Sequence, residues 1–301
     1  MYQKSSFPMN FLGLKPPLSD FANARVLVWP VPFEKTVSYG SGAGEGPAAI
    51  IEASRYIEHY DEDFGGETAQ IGIHTLPAIN TDYEPDEMMP LLEQRAAELI
   101  ATNKFFCMLG GEHSISAPVV RAMFKKYPRL SVMQIDAHAD LRDSYEGTPF
   151  SHASTMRRIV EVCPAVQVGI RSISKEEALA VPTLHTKIFY AKDITGRSEW
   201  VEHAVNSLTE DVYLTIDIDG LDPSLVPFTG TPEPGGLQWY EVLNLIRHLA
   251  RSRNIVGMDL VELCRPKGNN AASVLAAKLI YKTLGSVFER EIPSIHKESK
   301  V

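Results

Sequence analysis

The sequence predicts an α/β fold in which helices cover both faces of a mainly parallel β-sheet. Short apolar segments rich in β-branched residues recur along the chain, and segments with helical spacing of apolar residues separate them. This strand–helix alternation is typical of parallel sheets. Neither an internal repeat nor a linker interrupts the 301 residues, a length within the range of one large α/β domain. We therefore expect one domain over 1–301, with 1–24 as an N-terminal extension.

The predicted elements follow one another in a regular order. Strands are expected at 24–31, 104–111, 130–140, 165–171, 187–192, 211–220 and 255–263. Helices are expected at 46–60, 88–103, 116–127, 239–252 and 271–288. Pro47 and Pro118 stand in the first turns of their helices, where proline is favoured. Ligands of open parallel sheets bind beyond the carboxyl ends of the strands, so the functional residues are expected at these ends.

Composition narrows the class of protein. The net charge is −9, from 29 basic and 38 acidic residues, which argues against nucleic acid or an anionic membrane as a partner. The three cysteines form no C-x-x-C pair, as expected for a reduced protein. The first residues, MYQKSSFPMN, do not resemble a signal peptide, and no segment has the roughly 18 apolar residues of a membrane span. We expect a soluble, cytoplasmic protein.

Polar residues stand at the ends of four of the predicted strands. These residues are Glu112 and His113 in CMLGGEHS, Asp136, His138 and Asp140 in QIDAHADLRD, Asp217 and Asp219 in TIDIDGLDP, and Asp259 and Glu262 in MDLVEL. Because the carboxyl ends of parallel strands meet at one edge of a sheet, we expect these side chains to lie close together. Alternate residues of a strand share a face, so Asp136, His138 and Asp140 are expected to point the same way if the strand continues, with a turn before Asp140 as the alternative.

Four aspartates gathered in a partly buried site require compensation of their charge. Protonation is one solution, and two divalent cations are another, since +4 balances −4. His113 and His138 would give one neutral nitrogen ligand to each cation. Oxygen and imidazole ligands suit Mn²⁺, with Fe²⁺, Co²⁺, Ni²⁺ or Zn²⁺ as alternatives. A single strand-end aspartate can instead form a turn or cap a helix, and Asp222, before Pro223, is expected to do so.

The motifs GGEHS, DAHAD, SHAS, TIDIDGLDPS, TGTPEPGG and MDLVEL, in this order, resemble the ureohydrolase family of arginases, agmatinases and their relatives. The resemblance runs from about Ser38 to the final helix. It implies a three-layer α/β/α fold of the arginase type, two Mn²⁺ ions per subunit and hydrolysis of a cationic guanidino substrate to urea and an amine. It also implies a homo-oligomer, either a trimer or a hexamer.

The resemblance assigns a role to each site residue. One manganese takes His113, Asp136, Asp140 and Asp217, and the other takes His138, Asp136, Asp217 and Asp219. Asp140, His152 and Glu262 are the expected catalytic residues, with Glu262 holding the guanidinium and His152 moving protons.

The expected chemistry suits these residue types. Water between two metals is ionised near neutral pH, and a carboxylate can hold a guanidinium through two hydrogen bonds. A histidine with an ordinary pKa can protonate the leaving amine. From the residues alone, His152 could instead be a surface-loop histidine capped by Ser151 or Ser154, and Glu262 an exposed strand-end acid.

The substrate is expected to be agmatine, hydrolysed to putrescine and urea in polyamine biosynthesis. Arginases carry an asparagine where this chain has Arg142, and the segment LRDSYEGTPFSHAS is similar to agmatinases and to the bacterial aminopropylagmatine ureohydrolases. The alternatives are N1-aminopropylagmatine, which gives spermidine, and another guanidino acid or guanidine. Asp143 or Glu146 could attract the amine of the substrate. Phe228, in place of a common glycine, and the Cys264–Arg265 segment could alter the mouth of the site.

Two hypotheses of other classes stay open. One is a non-catalytic regulator that binds metal, and the other is a metal-dependent deacylase of a related fold. The complete set of expected ligands argues against the first. The second pair of aspartates, Asp217 and Asp219, together with Glu262, favours a ureohydrolase over a deacylase.

Overall fold

The computed structural model describes residues 8–265 and 268–293. The strands are β1 (Val26–Val31), β2 (Tyr60–Asp61), β3 (Gly66–Glu67), β4 (Ile73–Thr75), β5 (Phe105–Gly110), β6 (Leu130–Ile135), β7 (Ala165–Ile170), β8 (Thr186–Tyr190), β9 (Asp211–Asp217) and β10 (Asn254–Val261). The helices are α1 (Gly46–Ser54), α2 (Pro85–Ile100), α3 (Ser116–Lys126), α4 (Thr155–Val160), α5 (Lys175–Ala180), α6 (Ala191–Ile194), α7 (Trp200–Asn206), α8 (Trp239–Ser252) and α9 (Ala271–Val287).

Eight strands form one sheet in the order β4-β1-β5-β10-β9-β6-β7-β8. Every pairing within this sheet is parallel, while β2 and β3 form a separate antiparallel hairpin. The predicted mainly parallel sheet is therefore confirmed. Strands β5, β10, β9 and β6 are adjacent at its centre, which brings their carboxyl ends together at one edge.

Buried side chains cover both faces of the sheet. Successive strand residues alternate between two apolar clusters: Val28 belongs to the cluster that includes α1, α7, α8 and α9, while Leu27 and Trp29 belong to the one that includes α2, α3 and α4. This alternation follows from the two-residue repeat of a strand. Because both faces are buried, the strands are apolar almost throughout. The three-layer α/β/α arrangement is confirmed.

The structure differs from the prediction mainly in the short elements and at the boundaries. Strand β4, the β2–β3 hairpin and the short helices α4 to α7 were not predicted, because each is too brief to show a clear periodicity. The helix predicted for 46–60 ends at Ser54. The strand predicted for 130–140 ends at Ile135, and Asp140 has a φ of 52°, which is incompatible with an extended strand.

Residues near the N-terminus pack onto the same core. Phe11 and Leu12 are buried against α1 and β4, where the Leu12 N–H donates to Ser54 Oγ at 2.8 Å and the Phe11 N–H donates to Thr75 Oγ1 at 2.9 Å. The single domain with an N-terminal extension stays a prediction. Among the described residues, no helix combines the length and apolar character needed to cross a membrane.

Candidate metal centre and active site

Seven of the predicted site residues meet beyond the four central strands of the sheet. His113 follows β5, Asp136, His138 and Asp140 follow β6, Asp217 ends β9 and Asp219 follows it, and Glu262 follows β10. The carboxyl-end rule for parallel sheets thus places them correctly.

His113 lies at the buried centre of the cluster. Its Nδ1 is 3.1 Å from Asp136 Oδ2, 3.2 Å from Asp140 Oδ2 and 3.4 Å from Asp217 Oδ2. Its Nε2 is 2.9 Å from Thr215 Oγ1, a contact that leaves Nδ1 directed at the three carboxylates. Nδ1 makes no hydrogen bond of acceptable geometry, although it is buried. A buried nitrogen surrounded by acceptor oxygens is the arrangement expected of a metal ligand.

His138 lies on the open side of the cluster. Its Nδ1 is 3.0 Å from Asp219 Oδ2 and 3.6 Å from Asp136 Oδ1, and its side chain is 24% exposed. Two groups of possible ligands, His113–Asp136–Asp217 and Asp136–His138–Asp219, therefore share Asp136, with the ligand atoms of each group within 4.8 Å of one another. The division of ligands between two ions stays a prediction.

A loop, not a strand, directs the DAHAD residues at one point. The structure supports the alternative of a turn before Asp140, because β6 ends at Ile135 and strand alternation does not align these residues. The His138 N–H donates to Asp136 Oδ1 at 2.6 Å, and an isolated parallel bridge joins His138 to Ser172. Gly220 allows the neighbouring loop to approach, since a Cβ there would lie 2.8 Å from the Asp136 nitrogen.

Asp140 and Asp217, two buried carboxylates of the cluster, have raised pKa values, which indicates a site suited to cations. Burial, followed by the charge of Asp136, raises the pKa of Asp140 to about 7. Burial and the charges of Asp219 and Asp136 raise the pKa of Asp217 well above its ordinary value. Burial opposes the protonation of His138, but hydrogen bonds to Asp136 and Asp219 raise its pKa to about 12. These pKa shifts all favour protonation, which reduces the negative charge of the cluster. Two divalent cations would compensate the same charge, so the residues fit such cations.

A buried hydrogen-bond chain supports His113 from behind. Thr215 Oγ1 donates to Asp259 Oδ1 at 2.6 Å, and the Tyr213 hydroxyl donates to Asp259 Oδ2 at 2.8 Å. Asp259 is completely buried. Such a carboxylate behind a ligating histidine fixes the orientation of its ring. The sequence marked Asp259 as a strand-end acid but did not indicate this role.

Glu262 is part of the cluster wall. It is only 8% exposed, so the interpretation as an exposed strand-end acid is wrong. Its Oε1 accepts the His113 N–H at 2.6 Å, and its φ of 64° is a strained conformation that often accompanies a functional role. Burial, followed by the charge of Glu112, raises the pKa of Glu262 well above its ordinary value. A cationic group beside Glu262 would favour its ionised form.

His152 lines the same cavity as the cluster. Its backbone N–H donates to Thr36 Oγ1 at 3.0 Å, and its Nδ1 lies 3.4 Å from Thr36 Oγ1 and 3.3 Å from Ser151 Oγ. Ser151 Oγ also accepts the Ala153 N–H at 3.3 Å, as the capping interpretation expected. Burial lowers the pKa of His152 to about 4, so its ring is neutral near pH 7.

Two adjacent cavities lie at the cluster. The first, of about 20 Å³, is lined by cluster residues together with His152 and Glu262. The second, of about 140 Å³, is lined in part by Arg142, Tyr145, Ser172 and Ser174. The two cavities share part of their lining, which consists of Ser38, His138, Asp140, His152 and Thr231.

Residues suggested for the mouth of the site do not line either cavity. Asp143 pairs with Arg158 at 2.7 Å, and neither Asp143 nor Glu146 lines the two cavities. Phe228 packs against the core instead of lining them. Arg265 pairs with Glu52 at 2.8 Å. Besides Asp140, the acidic residue that lines the second cavity is Glu177, and its two oxygens already accept the N–H groups of Leu141 and Ser174.

Known proteins share this sequence and fold. A model of the arginase family matches residues 24–285. The N(1)-aminopropylagmatine ureohydrolase of Synechocystis sp. is 39% identical over 290 residues, which cover 93% of this chain and 94% of that protein. The agmatinase of Bacillus cereus is 38% identical over 260 residues, covering 81% and 84% of the two chains.

A solved structure of an agmatine ureohydrolase has a similar fold. The agmatine ureohydrolase of Thermoplasma volcanium superposes with a TM-score of 0.83 at 27% identity, covering 98% of this chain and 97% of that one. The family resemblance predicted from the motifs and the expected hydrolysis of a guanidino group are confirmed. The family depends on a binuclear metal centre, and the His/Asp cluster is consistent with one. The chain belongs to the arginase family and is a guanidino hydrolase.

Proposed function

We propose that this protein hydrolyses N1-aminopropylagmatine to spermidine and urea. The Synechocystis relative bears the name of this activity and aligns with nearly the whole chain. Agmatine, which the sequence favoured, becomes the second candidate. The two substrates share the same guanidino end and differ in the length of the cationic tail. The choice between them therefore depends on the space and the polar groups that lie beyond the metal cluster.

The second cavity supports the longer substrate. The guanidinium would occupy the small cavity beside Glu262, and the tail would extend past His152 into the cavity of about 140 Å³. Hydroxyl groups of Ser38, Ser172 and Thr231 line the route. The carboxylates of the cluster give the site a negative field that attracts a cationic substrate.

Each site residue has a proposed role. Glu262 holds the guanidinium: one of its oxygens is fixed by the His113 N–H, and the other is available to a planar N–H donor. This contact orients the guanidinium carbon before attack. His152, neutral near pH 7 because burial lowers its pKa to about 4, can accept a proton and transfer it to the leaving amine.

We propose that the cluster holds two Mn²⁺ ions. His113, Asp136, Asp140 and Asp217 would hold one ion, and His138, Asp136, Asp217 and Asp219 the other, as the mixture of oxygen and imidazole ligands favours. When bound, the ions would lower the pKa of a water molecule and supply a nucleophile at neutral pH. The chain's own residues would bind the substrate, orient it and move its protons.

Urea release from a panel of substrates tests this proposal. The purified protein, incubated with Mn²⁺, is expected to release urea from N1-aminopropylagmatine with a higher kcat/KM than from agmatine. An equal or higher value for agmatine would assign the protein to agmatine. No urea from either substrate, or from arginine, guanidinobutyrate or guanidine, would reject the proposed function, and turnover of acetyl-polyamines instead would favour a deacylase.

A cavity-filling variant makes the test sharper. Ser172→Leu, in the second cavity, is expected to lower kcat/KM for N1-aminopropylagmatine more than for agmatine, because the shorter tail reaches less far. Ser172→Ala is the matched control for size, since it removes the hydroxyl without filling the cavity. An equal loss for both substrates would place the tail elsewhere.

The assembly and location of the protein are further parts of the proposal. We propose a cytoplasmic homo-oligomer, with the trimer and hexamer as the expected states. Light scattering of the Mn²⁺-loaded protein would distinguish a monomer from these assemblies. The motifs that resemble agmatinases support the oligomer, and the cysteine pattern supports a reducing compartment.

A further inference from the structure

Glu112 is a buried carboxylate that does not line the substrate cavities. It is completely buried and precedes His113 in the chain. Its Oε2 accepts the backbone N–H groups of Lys35 and Thr36, each at 2.6 Å. Its Oε1 accepts the hydroxyls of Thr36 at 2.8 Å and Ser114 at 2.6 Å. A carboxylate has about four acceptor positions, so the hydrogen-bonding capacity of Glu112 is filled by donors.

Thr36 connects Glu112 to His152. Because its hydroxyl proton is directed to Glu112, Thr36 can offer only lone pairs to His152. One lone pair accepts the backbone N–H of His152 at 3.0 Å, and the other faces His152 Nδ1 at 3.4 Å. A hydrogen bond between Thr36 and the ring therefore requires a proton on Nδ1.

A hydrogen bond from Ser151 to the His152 ring would favour the opposite tautomer. Its Oγ is 3.3 Å from His152 Nδ1, and its hydroxyl proton has no other acceptor among the described residues. A proton donated by Ser151 to Nδ1 would place the ring proton on Nε2 instead. The Thr36 arrangement is favoured because its hydrogen bonds run in one direction and end on a carboxylate, which strengthens each of them.

We propose that Thr36 and Glu112 are positioning residues that fix the tautomer of His152, with the proton on Nδ1 and the lone pair on Nε2. Nε2 makes no hydrogen bond within the described residues and is the ring nitrogen available to the cavity that His152 lines. It can then accept a proton during attack on the guanidinium carbon and return it to the leaving amine nitrogen. This inference rests on the proposed hydrolase function of the same site.

Substitutions of Thr36 test the inference. Thr36→Val keeps the shape of the side chain and removes the hydroxyl, and it is expected to lower kcat about 10- to 100-fold, part of the ~10²–10⁴ that a positioned acid–base group contributes. KM is expected to change little, because Thr36 does not line either cavity. Thr36→Ser restores the hydroxyl and is expected to recover most of kcat. Equal kcat in Thr36→Val and the parent protein, or no recovery in Thr36→Ser, would overturn the inference.

The tautomer can be measured directly. The ring nitrogens of the full chain, labelled with ¹⁵N-histidine and loaded with diamagnetic Zn²⁺, are expected to show His152 protonated at Nδ1, with the signals assigned through His152→Asn. Thr36→Val is expected to move the proton to Nε2 or to give a mixture. An Nε2-protonated ring in the parent protein, or the same spectrum in Thr36→Val, would contradict the inference.

Two neighbouring residues provide matched controls. Thr155→Val removes a hydroxyl that also contacts His152, but through its carbonyl oxygen at 2.8 Å, and it is expected to leave the ring spectrum unchanged. Ser151→Ala is expected to keep the proton on Nδ1. A changed tautomer in Ser151→Ala with none in Thr36→Val would assign the role to Ser151. A parent protein that releases no urea would reject the hydrolase function, whereas the ring spectrum tests the tautomer separately.

Discussion

The two halves of the metal cluster differ in how they are supported. The His113 half, formed by His113, Asp140 and Asp217, is almost fully buried and is backed by the Thr215–Asp259 chain from strands β9 and β10. In the His138 half, formed by His138 and Asp219, the aspartate is equally buried, but the histidine lines the larger cavity and is 24% exposed compared with 1% for His113.

This difference indicates different metal affinities. Strands hold the supporting groups of the His113 half, whereas loops hold those of the His138 half. A preorganised, buried set of ligands loses less entropy on binding than an exposed set. We therefore expect the His113 half to retain its ion more strongly and the His138 half to exchange first. The shared Asp136 couples them.

Asp136→Asn is expected to have the largest effect, because Asp136 faces both histidines. It should lower the affinity of both halves and reduce kcat by more than the ~10–100-fold that is typical of changes behind a ligand. Metal analysis after dialysis, together with urea release, measures both quantities. The exposed Asp193→Asn is the control. Full metal content in Asp136→Asn would show that the halves do not share this residue.

The two histidines separate the halves. His138→Asn is expected to retain one Mn²⁺ per subunit, whereas His113→Asn should retain less than one at the same free Mn²⁺ concentration, because it loses the buried ligand. Electron paramagnetic resonance distinguishes isolated from coupled Mn²⁺ and counts each form. The exposed His203→Asn is the control substitution. Tighter metal retention in His113→Asn than in His138→Asn would reverse the proposed order of affinities.

The sequence predicted which residues gather but not how the chain directs them. For Asp136, His138 and Asp140 the sequence left strand alternation and a turn before Asp140 both open, and they meet through a loop with a positive φ at Asp140. The prediction succeeded because the carboxyl ends of parallel strands converge whatever the local conformation. The long strands and helices were also predictable, since the periodicity of buried residues marks them.

The supporting contacts could not be predicted because they join distant parts of the chain. Thr36 is 116 residues from His152, and Thr215 is 102 residues from His113. A single threonine does not form part of a periodic sequence pattern. The contacts of its hydroxyl depend on how the loops pack in the folded protein. The sequence did bring out Asp259 and Glu112 as polar residues at strand ends, but only their hydrogen bonds reveal that they act through neighbours.

Asp259→Asn tests the support of the His113 half. The substitution keeps the shape of the side chain but removes the negative charge that accepts the hydrogen bonds of the Thr215 and Tyr213 hydroxyls. The affinity of the His113 half for Mn²⁺ should therefore fall about 10- to 100-fold. Tyr213→Phe removes one of these hydrogen bonds and should have a smaller effect. Isothermal titration with Mn²⁺ measures the affinities. Loss of affinity in the His138 half alone would contradict the supporting chain.

Arg171 supports the His138 half and should give the smallest effect. Its guanidinium donates to the carbonyl oxygens of Asp219 at 2.7 Å and Glu233 at 2.8 Å, and so joins the loop of Asp219 to the following segment. Arg171→Lys keeps the charge but cannot reproduce the planar set of donors. We expect the affinity of the His138 half to fall about tenfold, the lower end for a residue behind a ligand, with the His113 half unchanged. Titration of Arg171→Lys beside Asp259→Asn compares the halves, and parallel losses in both variants would mean that the cluster binds metal as one unit.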